Sequence, residues 1–258
     1  MLRLTELRCI RAEREDGVLV LTLDRPEHGN SVDDALHSEL AQVFTAVRAD
    51  RSVRVVVLTG AGSAFCVGGD SSPTRTFTTH TGLTPVQEAR LIIESLLDLE
   101  QPLIAAVNGD AFGLGAILAS LADVAFVAAS ARFGDRHVLG GVTAGNGSAA
   151  LWPAIVGLNR AKWLVLGGEV LTAQQAVECG LLHRAVPDGT ALEAALNLAR
   201  RWAELDARAL QTTKSVLNLH LKAAAAVALH TGLAWEEQIL ESPEYRARLA
   251  ARREAASG

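Results

Sequence analysis

Apolar residues recur in this chain with two periods. Residues 18–23 and 53–59 are short, β-branched apolar runs, the pattern of strands. Asp16-Gly17 predicts a hairpin joining the first run to residues 9–14, and Pro26 ends it. Val32, Leu36, Leu40, Val43, Phe44 and Val47 then recur at helical spacing, with Asn30-Ser31 offering the N-cap. A second amphipathic pattern spans 85–99, with Val86, Ala89, Ile92, Ile93, Leu96 and Leu97 on one side. Between these, the Ser-, Thr- and Gly-rich stretch 71–83 predicts a mobile surface loop.

The densest pattern runs from Leu103 to Gly147. An apolar strand at 103–107 breaks at Asn108-Gly109 and leads to Gly113-Leu114-Gly115. A small-residue helix at 116–122 and a second strand at 124–127 follow, then a loop with Asp135-Arg136-His137 and the glycine-rich run 140–147. Short helices are expected at 148–156, 160–166 and 173–179, the last capped by Thr172 and ended by Gly180. After a short strand at 182–186, helices are expected at 190–204, 206–220, 222–240 and 243–254. The first two-thirds therefore reads as α/β and the last quarter as all helix.

Composition narrows the function. The chain has 258 residues, 49% hydrophobic, so a large core is within reach. Its formal net charge of -5 argues against a nucleic-acid binder, which needs a basic face. Cys9, Cys66 and Cys179 are too scattered for a zinc site and read as reduced thiols of a cytoplasmic protein. No apolar run is long enough for a membrane span or a signal peptide.

The glycine turns are the candidate chemistry. A turn at a helix start exposes backbone N–H groups to a ligand, where the helix dipole favours negative charge. A dinucleotide site is weakly supported, because Leu118 stands where GxGxxG needs its third glycine. A P-loop and a GxSxG elbow are absent. Close packing of helix on strand remains the alternative use of these glycines.

Ile104-Ala105-Ala106-Val107-Asn108-Gly109 with Gly113-Leu114-Gly115 resembles the signature of the crotonase (enoyl-CoA hydratase/isomerase) superfamily. Phe65-Cys66-Val67-Gly68-Gly69-Asp70 is similar to the family's Phe-Cys-x-Gly-Ala-Asp, and Leu21-Thr22-Leu23-Asp24-Arg25-Pro26 with Asn30 to its first strand and acyl-CoA loop. Ala131-Arg132-Phe133-Gly134, Leu166-Gly167-Gly168 and residues 176–181 extend the match in the same order. The resemblance implies an α/β, ClpP/crotonase-like spiral of ββα units, with an acyl-CoA core over 1–190 and a helical oligomerisation region over 191–258. It implies a homotrimer, often paired into a hexamer. An acyl-coenzyme A thioester is the implied substrate, with coenzyme A as part of it and no separate cofactor or metal. The implied oxyanion hole consists of the Gly69 and Leu114 N–H groups. Arg25, Gly68, Asp70 and Gly113 line the implied substrate site; Asp70 is also expected to cap a helix after Gly69.

The chain departs from the family where its hydratases carry two glutamates: Ile117 and His137 stand there. His137 can move a proton near neutral pH. His137 followed by Asn146 and Trp152-Pro153 resembles a subgroup that includes a β-diketone hydrolase, with Asn146 at the acidic position. Three readings follow: an enoyl-CoA hydratase/isomerase-type lyase of fatty acid metabolism with altered acid/base groups, a β-diketone hydrolase using His137, or a non-catalytic coenzyme A-binding protein. Asp135 is expected to pair with a neighbouring arginine in preference to holding His137, and Glu236 and Glu237 to lie on a solvated helix face rather than reach an active site.

Overall fold

The computed structural model describes residues 4–70 and 79–257. The expected loop at 71–83 therefore lies mostly outside the described residues. Strands β1 (Ile10–Glu15) and β2 (Val18–Leu23) form the expected hairpin. Its turn has positive φ at both Asp16 (48°) and Gly17 (81°), as a two-residue turn matched to strand twist requires. β2 then pairs in parallel with β3 (Val55–Gly60), β3 with β4 (Leu103–Val107), β4 with β6 (Val124–Ala128), and β6 with β9 (Arg184–Val186). A smaller sheet joins β5 (Ala111–Phe112), β7 (Arg132–Gly134) and β8 (Leu171–Thr172).

β3 and β4 are buried along their whole length, which explains why they read as continuous apolar runs rather than alternating ones. Alternation still sorts their side chains. Val56, Leu58, Leu103, Ala105 and Val107 enter the main core, while Val55, Val57, Ile104 and Ala106 face α8 (Ala191–Ala203). Helix α8 thus covers one face of the large sheet through Ala191, Ala195 and Ala199. On the other side lie α1 (Asp34–Ala49) and α2 (Pro85–Asp98).

Two expectations change. The cap of α1 is Asp33, whose side chain accepts from Leu36 N, and not Asn30-Ser31. Asn30 is instead fully buried: its Nδ2 donates to the Ala61 and Ala64 carbonyls and its Oδ1 accepts from Arg25 N. The two helices expected at 206–220 and 222–240 are one helix, α9 (Ala207–Glu241), of 35 residues. No Gly or Pro interrupts it at 221, and Ala223 to Ala226 favour continuation. Helix α10 (Pro243–Ser257) follows.

Backbone approach places the parts that matter. Residues 66–70 run extended between two neighbours. On one side Val32 pairs with Gly69; on the other Cys66 pairs in parallel with Ala111. Helix α3 (Leu114–Ser120) begins just beyond, and a Cβ at Gly115 would stand 2.2 Å from the Cys66 carbonyl oxygen. Gly115→Ala should therefore force α3 off this segment and destabilise the protein by about 1–3 kcal/mol. Urea unfolding compared with the parent chain measures it; equal midpoints would mean the contact can yield without cost.

Candidate functional site

The parallel bridge of Cys66 with Ala111 continues to Gly68 opposite Gly113, just before Leu114. The glycines fit that register: a Cβ at Gly113 would stand 3.5 Å from Gly68 Cα. Gly113 has φ 52° and ψ -123°, a conformation open to glycine and strained for other residues. Leu114 follows as the first residue of α3, so its N–H has no acceptor within the helix. Val32 N donates to Gly68 O and Asp70 N to Val32 O, which leaves the N–H of Gly69 directed away from Val32.

His137 opens α4 (His137–Gly140), and its Cε1 would be 3.6 Å from a Cβ at Gly113. The imidazole thus lies beside the turn that starts α3. Its Nδ1 donates to Asp135 Oδ1 at 2.5 Å, and the same oxygen accepts from the backbone N of His137 at 2.9 Å. Asp135 Oδ2 accepts from Ser148 Oγ, at the start of α5 (Ser148–Val156). On the opposite edge of the ring, Asn146 Nδ2 is 3.1 Å from His137 Nε2. An amide turned over presents Oδ1 in the same place, so Asn146 can face either the neutral ring or the imidazolium. Its Oδ1 is buried and without a hydrogen-bond partner.

These contacts overturn one expectation. Asp135 holds His137 rather than an arginine; Arg132 pairs with Asp110 at 2.6 Å instead. Asp135 is 1% exposed. Burial works against its ionisation, but the His137 charge and the hydrogen bonds from His137 and Ser148 hold it below the usual carboxylate range. Burial likewise disfavours a charged His137, and the Asp135 charge and hydrogen bond, with Glu236 nearby, override it and raise the ring to about 9.

Glu236 is the second correction. It lies on α9 but is buried, with its carboxyl pushed up to about 7 by burial. His137 and the backbone N–H groups of Gly145 and Asn146 pull it the other way. Ile117 is 1% exposed and packs against Gly147. Arg25 is turned inward: its Nη2 is 2.9 Å from Asp33 and 3.5 Å from Asp70, and its Nη1 donates to the Ser31 carbonyl. Asp70 thus meets Arg25, and any helix it caps would lie in residues 71–78, outside the described ones. Among the described residues no cluster of three or more His, Cys, Asp or Glu could hold a metal ion, and no helix is long and apolar enough to cross a membrane.

Asp135 takes the less favoured of its two expected partners, Glu236 is buried rather than solvated, and Ser148 was missed by sequence reasoning. One signal was available for the first: an Asp two residues before a His can bond that residue's backbone N–H and bring the two side chains together. The folded-state value of His137 lies above its ordinary 6.5, so stability from the imidazolium is complete below pH 6.5 and is lost as the pH rises through about 9. Between pH 7.5 and 9.5, above the range in which Glu236 titrates, the parent protein should lose stability to urea. Asp135→Asn should flatten that loss, and an equal slope in both proteins would contradict the pairing.

The chain matches the family model described as enoyl-CoA hydratase/isomerase over residues 13–251. It is 36% identical over 208 residues to 1,2-epoxyphenylacetyl-CoA isomerase of Escherichia coli K12, covering 79% of each chain. To the 2,3-dehydroadipyl-CoA hydratase of the same strain it is 36% identical over 226 residues, 88% of this chain and 86% of the relative. Among solved structures, an enoyl-CoA hydratase/isomerase from Mycobacterium paratuberculosis superposes with a TM-score of 0.90 at 33% identity, over 95% of this chain and 99% of the other. Fold, motif order and relatives agree from end to end: the chain belongs to the enoyl-CoA hydratase/isomerase family, with the crotonase fold.

Proposed function

We propose that the protein acts on an acyl-CoA thioester, holding the thioester oxygen on the N–H groups of Gly69 and Leu114 while His137 transfers a proton at the adjacent carbons. The observation that carries this reading is the position of the His137 ring against Gly113, where the 66–70 segment meets the start of α3. Backbone donors fixed in place stabilise an enolate oxygen without reorganising, and one such donor is worth about 3 kcal/mol in the transition state. The imidazolium favoured by Asp135 is suited to deliver a proton to an enolate carbon. The Leu114 side chain is no obstacle, because the donor is main chain. We propose a homotrimer as the working assembly; exposed Trp163, Leu166 and Val170 support an interface on that side of the subunit.

Titration calorimetry with a panel of acyl-CoAs should give saturable binding, and uniform absence of binding would sink the reading. His137→Ala should lower turnover about 10²–10⁴-fold with binding retained. Leu114→Pro deletes the N–H at the first helical position, which tolerates proline. It should cost about 10²–10³-fold in kcat; unchanged kcat would remove Leu114 from the oxyanion hole.

A second reading has its own support. Asp135 supplies the carboxylate that Asn146 lacks, so His137 is held as in a water-activating pair. A hydrolase of β-diketones predicts turnover of free diketones without coenzyme A; a panel inert throughout, beside a hit among enoyl-CoAs, would reject it.

A further inference from the structure

Neither position that carries a glutamate in an ordinary family hydratase supplies a carboxylate here, since Ile117 is apolar and His137 is basic. Asp135 cannot substitute, because both its oxygens are occupied by His137 and Ser148. A second carboxylate nevertheless comes in beside the Asn146 loop from far along the chain, near enough for its charge to act on the imidazole. Glu236 is 8% exposed, one turn beyond Gly232 on α9. Gly232 lies directly on the Asn146 loop: a Cβ at Gly145 would stand 2.1 Å from the Gly232 carbonyl oxygen and 2.9 Å from Glu236 Oε2. Only two facing glycines allow helix and loop to meet this closely.

The polar atoms at this contact are unbalanced. Glu236 Oε2 is buried without a hydrogen-bond partner, and so is Asn146 Oδ1 on the adjoining loop residue. The turned-over Asn146 amide accepts from the imidazolium, but the Glu236 oxygen still calls for a donor such as an O–H group, because an unmatched buried acceptor is costly. A carboxyl that takes and releases a proton, or a hydroxylic reactant, meets that need.

We propose that Glu236 is the acid–base carboxylate of this site, working opposite His137 in place of the two absent glutamates. The inference rests on the acyl-CoA reading above. For addition of water to an enoyl thioester the step balances. The water oxygen bonds to Cβ, one water proton passes to the Glu236 carboxylate, and the π electrons move to the thioester oxygen. The His137 imidazolium then delivers its Nε2 proton to Cα as the electron pair returns from oxygen to form the new C–H bond. Transfer of the proton from Glu236 to His137 restores both groups, and no oxidant or reductant enters. With Glu236 near 7 and His137 near 9, carboxylate and imidazolium coexist in the interval between.

The remaining charges around this part of α9 are committed elsewhere. From α2, Glu94 lies 3.3 Å from His230 and 2.8 Å from Arg90, and Asp98 holds Lys222 at 2.6 Å. α5 carries no charged residue, and Arg248 of α10 donates to the Gly141 carbonyl. Asp135 and His137 are the charges that act on Glu236.

The test is Glu236→Gln, which keeps the shape and removes the proton chemistry, with Glu241→Gln on the exposed end of α9 as control. Enoyl-CoA hydration should show a bell-shaped pH profile in the parent protein, with limbs near 7 and 9. In Glu236→Gln, kcat should fall at least about 10²-fold with KM little changed. The acidic limb should disappear, and His137, followed by NMR of its ring, should titrate lower. Glu236→Asp should recover part of the rate. A Glu236→Gln enzyme with parental kcat and its acidic limb intact, or an unmoved His137 titration, would overturn the proposal. If the parent protein turns over no enoyl-CoA, the acyl-CoA reading fails by itself. The NMR titration then still decides whether Glu236 and His137 form one unit.

Discussion

The whole site hangs on backbone packed against backbone. The extended segment 66–70 touches Val32 on one side and the 111–114 turn on the other, and α3 starts against the Cys66 carbonyl. Side chains could not hold these segments together so tightly, because each would add its own rotamer freedom. The sheet beneath supplies the stiffness: β3 and β4 are buried on both faces, one by the main core and the other by α8. Position is fixed by strand register, and glycine permits the approach.

Charge is fixed differently. Three ionisable groups share a dry space, two carboxylates and an imidazole, so their protons are coupled. Asp135 receives three hydrogen bonds and stays ionised. Glu236 has a bare oxygen and holds its proton more readily. The contrast between two buried carboxyls of the same chemistry comes from the number of donors each is given.

Much of the fold was legible because apolar periodicity reports burial. β2, β3 and β4, the hairpin turn at Asp16-Gly17, and the cap at Thr172 are local or nearly local features. The crotonase signature also pointed to the family to which the chain belongs. What failed was long-range. Helix α9 buries a narrow stripe of Lys214, Asn218, Ala225, Leu229, Leu233 and Glu236. Half of that stripe is polar, so hydropathy could not mark it as an inward face. Lys214 is buried because it meets Asp123 at 2.7 Å and donates to the Gln101 carbonyl, partners more than ninety positions away. Asp135 was misassigned for the opposite reason: its partner is only two residues off, a separation at which the neighbouring Arg136 and Arg132 compete for the same assignment.

A single uninterrupted helix has a further consequence. α9 is tied to the sheet at Lys214 and, at Glu236, to the loop that carries Asn146, 22 residues apart, which is about 33 Å of rod. Neither end can turn alone. Inserting or deleting one residue between them would rotate the far end by about 100°. Glu236 would leave the imidazole, or Lys214 would leave Asp123. Substitutions along this span are absorbed one at a time, whereas length is held fixed by the need to keep both ends in phase.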